Sequence, residues 1–472
     1  MSNQTLEKRD GFQSKWGFIL ACIGSAVGMG NIWRFPIMVS RYGGLTFLIP
    51  YFIFVLLIGA SGVIEEFALG RRAGAGPVGA FGMCTEERTG KKGIGEIIGA
   101  LPIIGSMMLA IGYTVVLGWI FKYTWLGISG GLFAMGQDMN VIGGAFGATA
   151  PEAASLGEAV SMMFSEGLFT LGNGTWQVIG LVISLLIMAM GVAAGIELAN
   201  KIMMPVLFGL FLILAVYVAT LPGAADGYKY IFTLNPAGLL NWEVWLFAFG
   251  QAFFSLSVAG NGSVIYGSYL PKNEDIPSSA RNVAIFDTLA ALLAMLVILP
   301  AMGVGGMEPS ASGPGLMFVF LPNVLNGMAG GRIVGMVFFI CVLFAGVSSI
   351  VNLYEAPVAF MQEKLHLARV PAVAVIGIIG AVISVIIQPW TSQWMDLVSV
   401  YICPLGALLA GIMFFWVLKK ETALDAVNEG RSNGRKIGNW FYPLGKYVYC
   451  FLALVALVGG AAYFLIFGAS IG

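Results

Sequence analysis

The sequence is poor in the residues that build soluble enzymes and metal centres. Its 472 residues include one histidine, His366, and five cysteines without metal-ligand spacing. Zinc sites, disulfide frameworks and Cys–His catalysis are therefore not expected, and no nucleophile–base pair indicates an enzyme. Only 10% of the residues are charged and the net charge is zero, so no basic surface points to nucleic acid.

What the sequence has in abundance is apolar residues. Hydrophobic residues make up 58% of the chain and the mean hydropathy is +0.88. A soluble fold could not cover that much apolar surface with polar groups. The apolar runs are continuous and do not alternate, which excludes a β-barrel. We therefore expect an all-α polytopic membrane protein, without a cleaved signal peptide because the first apolar stretch is a full span.

A helix that crosses the membrane needs about 20 apolar residues. Eleven stretches meet this requirement, and we number them spans 1 to 11. They lie at 15–40, 45–70, 95–126, 175–193, 197–221, 242–270, 282–306, 333–362, 370–388, 395–418 and 441–467.

Lysine and arginine predict the orientation of these spans. With the N-terminus inside, most of the 24 basic residues fall in inside segments, and the outside segment 127–170 has none. This bias is the positive-inside pattern of inner (plasma) membrane proteins. An odd number of spans then places the C-terminus outside.

Two spans are interrupted near the expected bilayer midplane. Residues 24–31 of span 1 read GSAVGMGN, and residues 255–262 of span 6 read SLSVAGNG. Such glycines lower helix propensity, and unpaired backbone groups at this depth must line a cavity. Interruptions at corresponding positions of two five-helix halves are typical of inverted-repeat transporters. The alternative is two glycine-rich packing sites, which would leave the polar residues buried without purpose.

An interrupted helix offers two kinds of binding group. Its free carbonyl oxygens suit a hard cation such as sodium, and the N-termini of its half-helices suit a carboxylate. The two interruptions together therefore favour a site for a carboxylate-bearing substrate and a cation.

Several motifs resemble the neurotransmitter:sodium symporter family, which has the leucine-transporter fold. They are GSAVGMGNIWRFP (24–36), EEFALGR (65–71), GQAFFSLS (250–257), IYGSYL (265–270) and FAGVSS (344–349). The resemblance runs from Lys15 to span 11. The eleven spans resemble those of the bacterial subgroup that transports aromatic and other hydrophobic amino acids, which implies sodium-coupled import by alternating access.

The resemblance implies a 5+5 inverted repeat with broken helices 1 and 6 and one peripheral helix. The expected segments are a cytoplasmic N-terminal segment (1–14), a first repeat (15–221), an outer loop (222–241), a second repeat (242–418), a cytoplasmic loop (419–440) and span 11 (441–472).

The resemblance also implies two sodium sites. The first sodium site would use the carbonyl of Ala26 with the side chains of Asn31, Ser255 and Asp287. The second sodium site would use the carbonyls of Gly24, Val27 and Ala345 with the hydroxyls of Ser348 and Ser349. Cages of mostly neutral oxygens hold an ion weakly enough to release it.

Asp287 is a lone carboxylate in an apolar stretch of span 7, where it is costly unless paired. Its charge would balance the cation of the first sodium site; a neutral Asp hydrogen-bonded between helices is the alternative. The positions that match the family's anion site are Tyr51, Gln251 and Ser255, and Ala291 lacks a carboxylate. With the charge of Asp287 built in, we expect chloride not to be required.

Gly28 stands where amine-transporting relatives carry an Asp, which implies a substrate with its own carboxylate. The substrate-binding positions implied by the resemblance are Ala26, Gly28, Leu109, Tyr113, Phe254, Ser255, Ser257, Ala259, Gly260, Ser349 and Leu353. Gly260 replaces a bulky residue and leaves room for a large side chain. Hydrophobic or aromatic L-amino acids are the expected cargo, with small neutral amino acids and a non-transporting sensor of the same fold as alternatives.

We also expect two gates and an element of span 5 that would release sodium. Arg34 and Asp396 would form an outer gate, and Arg9 and Glu363 an inner gate with Phe12 beneath. The alternative for both pairs is loop charges that face solvent. Gly195 and Pro205 would let the inner end of span 5 unwind and admit water to the second sodium site, with ordinary helix termination as the alternative. Oligomeric state, sodium stoichiometry and proton antiport stay open.

Overall fold

The structure, a computed structural model, describes residues 11–28, 30–258, 261–305, 314–431 and 435–467, and contains no strand within them. All eleven predicted spans correspond to helical segments. Their bounds are Lys15–Ala26 with Gly30–Tyr42, Gly44–Ala73, Gly93–Ser129, Gly174–Ala189, Val192–Ala219, Trp242–Ser255 with Gly262–Ser268, Ile276–Val304, Gly331–Leu365, Arg369–Ile386, Gln388–Val417 and Phe441–Ile466.

Among the described residues, eight of these spans are single helices long and apolar enough to cross a membrane. The two halves of span 1 meet at an angle of 52°, and span 4 is shorter, with 16 residues. Short helices that the hydropathy pattern does not predict form the connections. They are Pro77–Thr89, Gly131–Ala134, Met139–Gly147, Leu156–Glu166, Ala224–Phe232, Leu321–Gly327 and Lys420–Asn428.

The break in span 6 has a local backbone cause. Ser257 and Asn261 adopt positive φ angles of 56° and 52°. This left-handed region is uncommon for residues other than glycine and cannot continue a right-handed helix. The inner half of span 6 therefore starts afresh at Gly262.

Small residues let the inner half of span 6 pack tightly on span 2. A Cβ placed on Gly70 would overlap the carbonyl of Val264, and one on Gly267 would lie 2.6 Å from the carbonyl oxygen of Phe67. Such contacts between backbones are the usual means of close packing in membrane helices. They hold span 2 directly behind the interrupted segment.

Polar contacts tie the connections together at each end of the bundle. At one end, the Arg71 guanidinium donates to the carbonyls of Glu274 at 2.6 Å and Ala426 at 2.8 Å. At the other end, Asn326 Nδ2 donates to the carbonyls of Leu132 at 2.8 Å and Gly136 at 2.6 Å. The connections that follow spans 2, 6 and 10 thus contact one another at one end, and those that follow spans 3 and 7 do so at the other.

Candidate ion and substrate site

The two interruptions meet at a central cavity of about 500 Å³. Spans 1, 3, 6 and 8 supply its walls. Of the predicted substrate positions, the walls include Ala26, Gly28, Leu109, Tyr113, Phe254, Ser257, Ser349 and Leu353. They also include Ser25, Gly30, Asn31, Gly262 and Asn352. Among these lining residues none carries a formal charge.

A cluster of three buried side chains joins spans 1, 6 and 7 beside this cavity. Asn31 Nδ2 donates to Asp287 Oδ1 at 2.6 Å and to Ser255 Oγ at 3.1 Å. Ser255 Oγ donates to Asp287 Oδ2 at 2.7 Å. None of the three is more than 1% exposed. The first sodium site's predicted side chains are thus in mutual contact, although Ser255 does not line the cavity.

This cluster offers the oxygen ligands that an alkali cation prefers. It holds a carboxylate, a hydroxyl and an amide, and Gly28 N–H donates to Asn31 Oδ1 at 3.2 Å. A buried carboxylate that receives only neutral donors is costly to keep ionised unless a cation lies beside it. The residues present therefore fit a bound sodium ion.

The predicted second sodium site lies where span 1 contacts span 8. The hydroxyls of Ser348 and Ser349 both donate to the carbonyl of Ala345, at 3.0 and 2.9 Å. A Cβ placed on Gly24 would lie 3.3 Å from Ser348 Cβ, and one on Gly28 would overlap Ser349 Oγ. Val27, whose N–H donates to the carbonyl of Ile23 at 2.6 Å, ends the inner half of span 1. This site would offer sodium only neutral hydroxyl and carbonyl oxygens as ligands.

The side chains of Ser257 and Asn261, the two residues with positive φ, link the break in span 6 to neighbouring spans. Ser257 Oγ donates to the carbonyl of Ser25 at 2.9 Å, which joins the two interrupted spans directly. Asn261 Nδ2 donates to Glu66 Oε1 at 3.1 Å and to the carbonyl of Gly406 at 3.3 Å. Such pairing is what allows irregular backbone to persist at this depth.

The positions that match the anion site of the family, Tyr51, Gln251 and Ser255, are all buried. Tyr51 Oη lies 3.5 Å from Ser255 Oγ, and Gln251 Nε2 donates to the carbonyl of Gly30 at 3.1 Å. Ala291 is fully buried and brings no charge. Asp287 is therefore the carboxylate that contacts this group of residues.

A second cavity of about 670 Å³ adjoins the first, and we call it the outer cavity because it contains the predicted outer gate. The predicted outer gate residues Arg34 and Asp396 both line it. Phe254 and Tyr113 line both cavities, and their ring centroids are 6.5 Å apart. The Arg34 guanidinium carbon lies 5.1 Å from the centroid of the Phe254 ring. The two aromatic rings thus divide the outer cavity from the central one.

Near the predicted inner end, Phe12 packs in a group of aromatic rings. Its centroid lies 5.3 Å from that of Phe18 and 5.7 Å from that of Tyr266. Glu363 accepts a hydrogen bond from Gly76 N–H at 3.0 Å. Its predicted gate partner Arg9, and the predicted pocket residues Ala259 and Gly260, lie outside the described residues.

The predicted release element of span 5 is helical in this structure. Val192–Glu197 forms a π-helix, and Pro205 lies inside the continuous helix Leu198–Ala219. A Cβ placed on Gly195 would overlap the carbonyl of Ile187, so the glycine also serves close packing here. The two residues are ten positions apart and do not meet.

The sequence did not predict a buried ion pair between spans 8 and 9. Arg369 donates two hydrogen bonds to Glu355, at 2.8 and 3.0 Å, and Tyr269 Oη donates to the same carboxylate at 2.7 Å. These contacts join spans 8 and 9 to the segment after span 6. The isolated glutamate in span 8 was the available signal, but its partners are visible only in three dimensions.

Asn352 is the second site residue that the sequence did not reveal. It lines the central cavity, is 3% exposed, and its Oδ1 has no hydrogen-bond partner among the described residues. It follows Ser348 by one helical turn on the same face of span 8, which is the spacing that could have identified it.

Comparison with known proteins agrees with this architecture. The family described as the sodium:neurotransmitter symporter family matches residues 9–134 and 150–464. An uncharacterized sodium-dependent transporter of Methanocaldococcus jannaschii is 31% identical over 454 residues, which cover 93% of this chain and 88% of the relative. An uncharacterized sodium-dependent transporter of Bacillus subtilis is 30% identical over 451 residues, with 91% and 93% covered.

A solved structure is similar along almost the whole chain. The crystal structure of MhsT in complex with L-phenylalanine matches with a TM-score of 0.79 and 31% sequence identity. The match covers 96% of this chain and 100% of that one. The fold similarity thus extends over both interrupted spans.

Proposed function

This chain belongs to the sodium:neurotransmitter symporter family, and from that premise we propose that it imports hydrophobic or aromatic L-amino acids together with sodium. It is a multi-pass membrane transporter and not an enzyme. The observation that carries the proposal is the central cavity, because the two interrupted spans and the buried Asp287 cluster meet there.

The chemistry of the cavity supports a zwitterion with an apolar side chain. Gly28 brings no carboxylate that would hold an amine, so the substrate supplies its own. The apolar part of the wall is formed by Leu109, Phe254 and Leu353. The lining carries no charge that could pair with a basic or acidic side chain. MhsT, the structural relative, was crystallised with L-phenylalanine, and a similar cargo fits this lining.

We infer that two sodium ions bind. The first is held by the Asp287, Asn31 and Ser255 side chains with the carbonyl of Ala26, close to the substrate carboxylate. The second is held between spans 1 and 8 by neutral oxygens of the second sodium site. Asp287 supplies the negative charge that an anion would otherwise provide, so chloride is not required.

Transport follows alternating access. Sodium and substrate bind from the outer cavity, and Phe254 and Tyr113 close over them. The inner gate then opens, and sodium leaves the second site first. The sodium gradient and the membrane potential drive the cycle, the latter with about 2.3 kcal/mol per charge per 100 mV.

The chain lies in the plasma membrane with its N-terminus in the cytoplasm and its C-terminus outside. Residues 15–221 and 242–418 act as the two inverted repeats, 1–14 and 419–440 are cytoplasmic, 222–241 is an outer loop, and 441–472 is peripheral. The Lys and Arg distribution supports this orientation.

Uptake into proteoliposomes tests the proposal. Labelled Trp, Phe, Leu, Ala and Gly are offered under an inward sodium gradient, with potassium replacing sodium in the control. We expect sodium-dependent uptake of the large apolar amino acids above that of Gly. Sodium-independent uptake would contradict the symport, and saturable binding without counterflow would identify a sensor.

A further inference from the structure

Asn200 is a buried polar residue of span 5 that has no role in either proposed sodium site. It is 1% exposed and lies just after the π-helical stretch Val192–Glu197. Its Nδ2 donates to the carbonyl of Ile196 at 2.8 Å. Its Oδ1 has no hydrogen-bond partner among the described residues. A buried amide oxygen without a hydrogen-bond partner destabilises the fold, so its presence here needs a physical reason.

The unpaired oxygen points at the second sodium site. A Cβ placed on Gly24 would overlap Asn200 Oδ1 and would lie 3.3 Å from Ser348 Cβ. Gly24 and Ser348 are both proposed to contribute oxygens to that site. Asn200 Oδ1 therefore lies where spans 1, 5 and 8 meet, beside the cage but outside its proposed ligand set.

The orientation of the amide favours a cation. Because Nδ2 is held by the carbonyl of Ile196, the oxygen and not the amino group faces Gly24. Hard cations such as sodium take amide and carbonyl oxygens as ligands. A neutral oxygen attracts the ion without trapping it.

The next oxygen-bearing side chain leads to the inner end of the bundle. Glu197 lies three residues before Asn200, on the same face of span 5. Its carboxylate accepts hydrogen bonds from Gln13 N–H at 2.7 Å and Ser14 Oγ at 2.8 Å, and pairs with Lys201 at 2.6 Å. The Lys201 side chain is 38% exposed. Asn200 thus lies between the second sodium site and the accessible inner end.

We propose that Asn200 Oδ1 is an additional sodium-binding position, which receives the ion as it leaves the second sodium site for the inside. This inference rests on the proposed function. It adds a ligand on the exit route that neither the sequence motifs nor the proposed cage contains.

Two substitutions separate this role from a structural one. Asn200→Asp keeps an oxygen at the Gly24 contact and adds a negative charge, but loses the donor to Ile196. Asn200→Ser loses the oxygen at Gly24, while a serine hydroxyl can still donate to the carbonyl four residues earlier. Ser184→Ala is the matched control, because Ser184 is buried in span 4 and makes the same kind of bond, to Gly180 at 3.0 Å.

Two readouts are needed for each variant. One is the sodium concentration for half-maximal binding of labelled phenylalanine to purified protein, and the other is the rate of radioactive sodium release in proteoliposomes. For Asn200→Asp we expect the half-saturating sodium concentration to fall about tenfold and release to slow, because ligand charge tightens cation binding. For Asn200→Ser we expect release to slow about threefold with half-saturation nearly unchanged, since a neutral ligand on the route is lost. The control should match the wild type.

The outcomes distinguish this inference from the function on which it rests. Suppose that Asn200→Ser behaves as the wild type, while Asn200→Asp needs more sodium for half-maximal binding and releases sodium more slowly. Asn200 then only stabilises the helix, and the inference is wrong. The inference also fails if neither variant differs from the wild type. If the wild type itself shows no sodium-dependent binding, it is the proposed function that fails.

Discussion

At the scale of single residues, the cluster of Asp287, Asn31 and Ser255 is the proposed first sodium site. Each side chain comes from a different span, and their hydrogen bonds of 2.6 to 3.1 Å hold a carboxylate without a compensating positive charge from the cluster itself. Such an arrangement is stable in a membrane protein when a cation completes it. The charge of Asp287 is therefore the property to change first.

Replacing Asp287 by Asn should weaken sodium binding without removing the fold. The amide keeps an oxygen of similar size but loses the charge that attracts the cation, so the half-saturating sodium concentration should rise about tenfold or more. Sodium-dependent binding of labelled phenylalanine measures this. The exposed outer-loop variant Asp226→Asn is the control. An unchanged sodium dependence for Asp287→Asn would contradict the first sodium site.

Replacing Asn352 by Leu should change the substrate preference. The unpaired Asn352 Oδ1 can accept a hydrogen bond from the side chain of Trp or Tyr, and a leucine cannot. The loss of one such partner should weaken competition by Trp and Tyr relative to Phe about tenfold. Competition against labelled phenylalanine measures this, with Asn323→Leu in the outer helix Leu321–Gly327 as the control. Equal weakening for all substrates would indicate a packing defect instead.

Some of these residues can be recognised as site residues from the sequence, and others cannot. Asp287 and Asn31 stand out because charged and amide side chains are rare in apolar spans. Asn352 and Asn200 are just as polar, but their surroundings depend on how spans 5 and 8 pack on span 1. The partners of Glu355 are separated from it by 14 and 86 residues, and no local pattern reveals such pairings.

At the scale of elements, the breaks in spans 1 and 6 follow from local sequence, whereas the state of span 5 does not. Glycine and serine clusters identify both breaks, because they lower helix propensity where lipid would otherwise enforce a helix. In span 5, by contrast, Val192–Glu197 forms a π-helix that the sequence did not predict, and the unwinding that Gly195 and Pro205 would permit stays a prediction. Its close contact with Ile187 is a tertiary effect.

Pro205 nevertheless leaves span 5 with a missing backbone hydrogen bond, because proline cannot donate to the residue four positions earlier. Replacing it by Ala should strengthen the helix and slow sodium release about threefold or more, with substrate affinity within twofold, since the weakest point of the helix is repaired. Radioactive sodium release and phenylalanine binding measure the two effects. Pro102→Ala, inside span 3, is the control. An unchanged rate of sodium release for Pro205→Ala would count against the release element.

At the scale of the whole molecule, hydropathy alone predicts the eleven spans, because a bilayer leaves few alternatives to a spanning helix. The connecting helices escape prediction since no lipid constrains them. The comparisons with known proteins confirm the family and the fold. The coupling of ions to substrate depends on the whole molecule, and uptake experiments can test it.

Replacement of chloride by gluconate should leave sodium-driven uptake unchanged within experimental error. We proposed that Asp287 supplies the negative charge inside the protein, and no external anion is then needed to balance sodium. Initial uptake rates in proteoliposomes at constant sodium measure this. A loss of uptake without chloride would show that an anion takes part in the cycle.

The most direct test of the account is an experimental density map of the protein with saturating L-phenylalanine, recorded once in sodium and once in potassium. We expect density for the amino acid between Gly28 and Phe254 in the central cavity, together with ion density beside Asp287, in sodium alone. Amino-acid density that is confined to the outer cavity, or that is the same in potassium, would contradict a shared chamber for substrate and sodium.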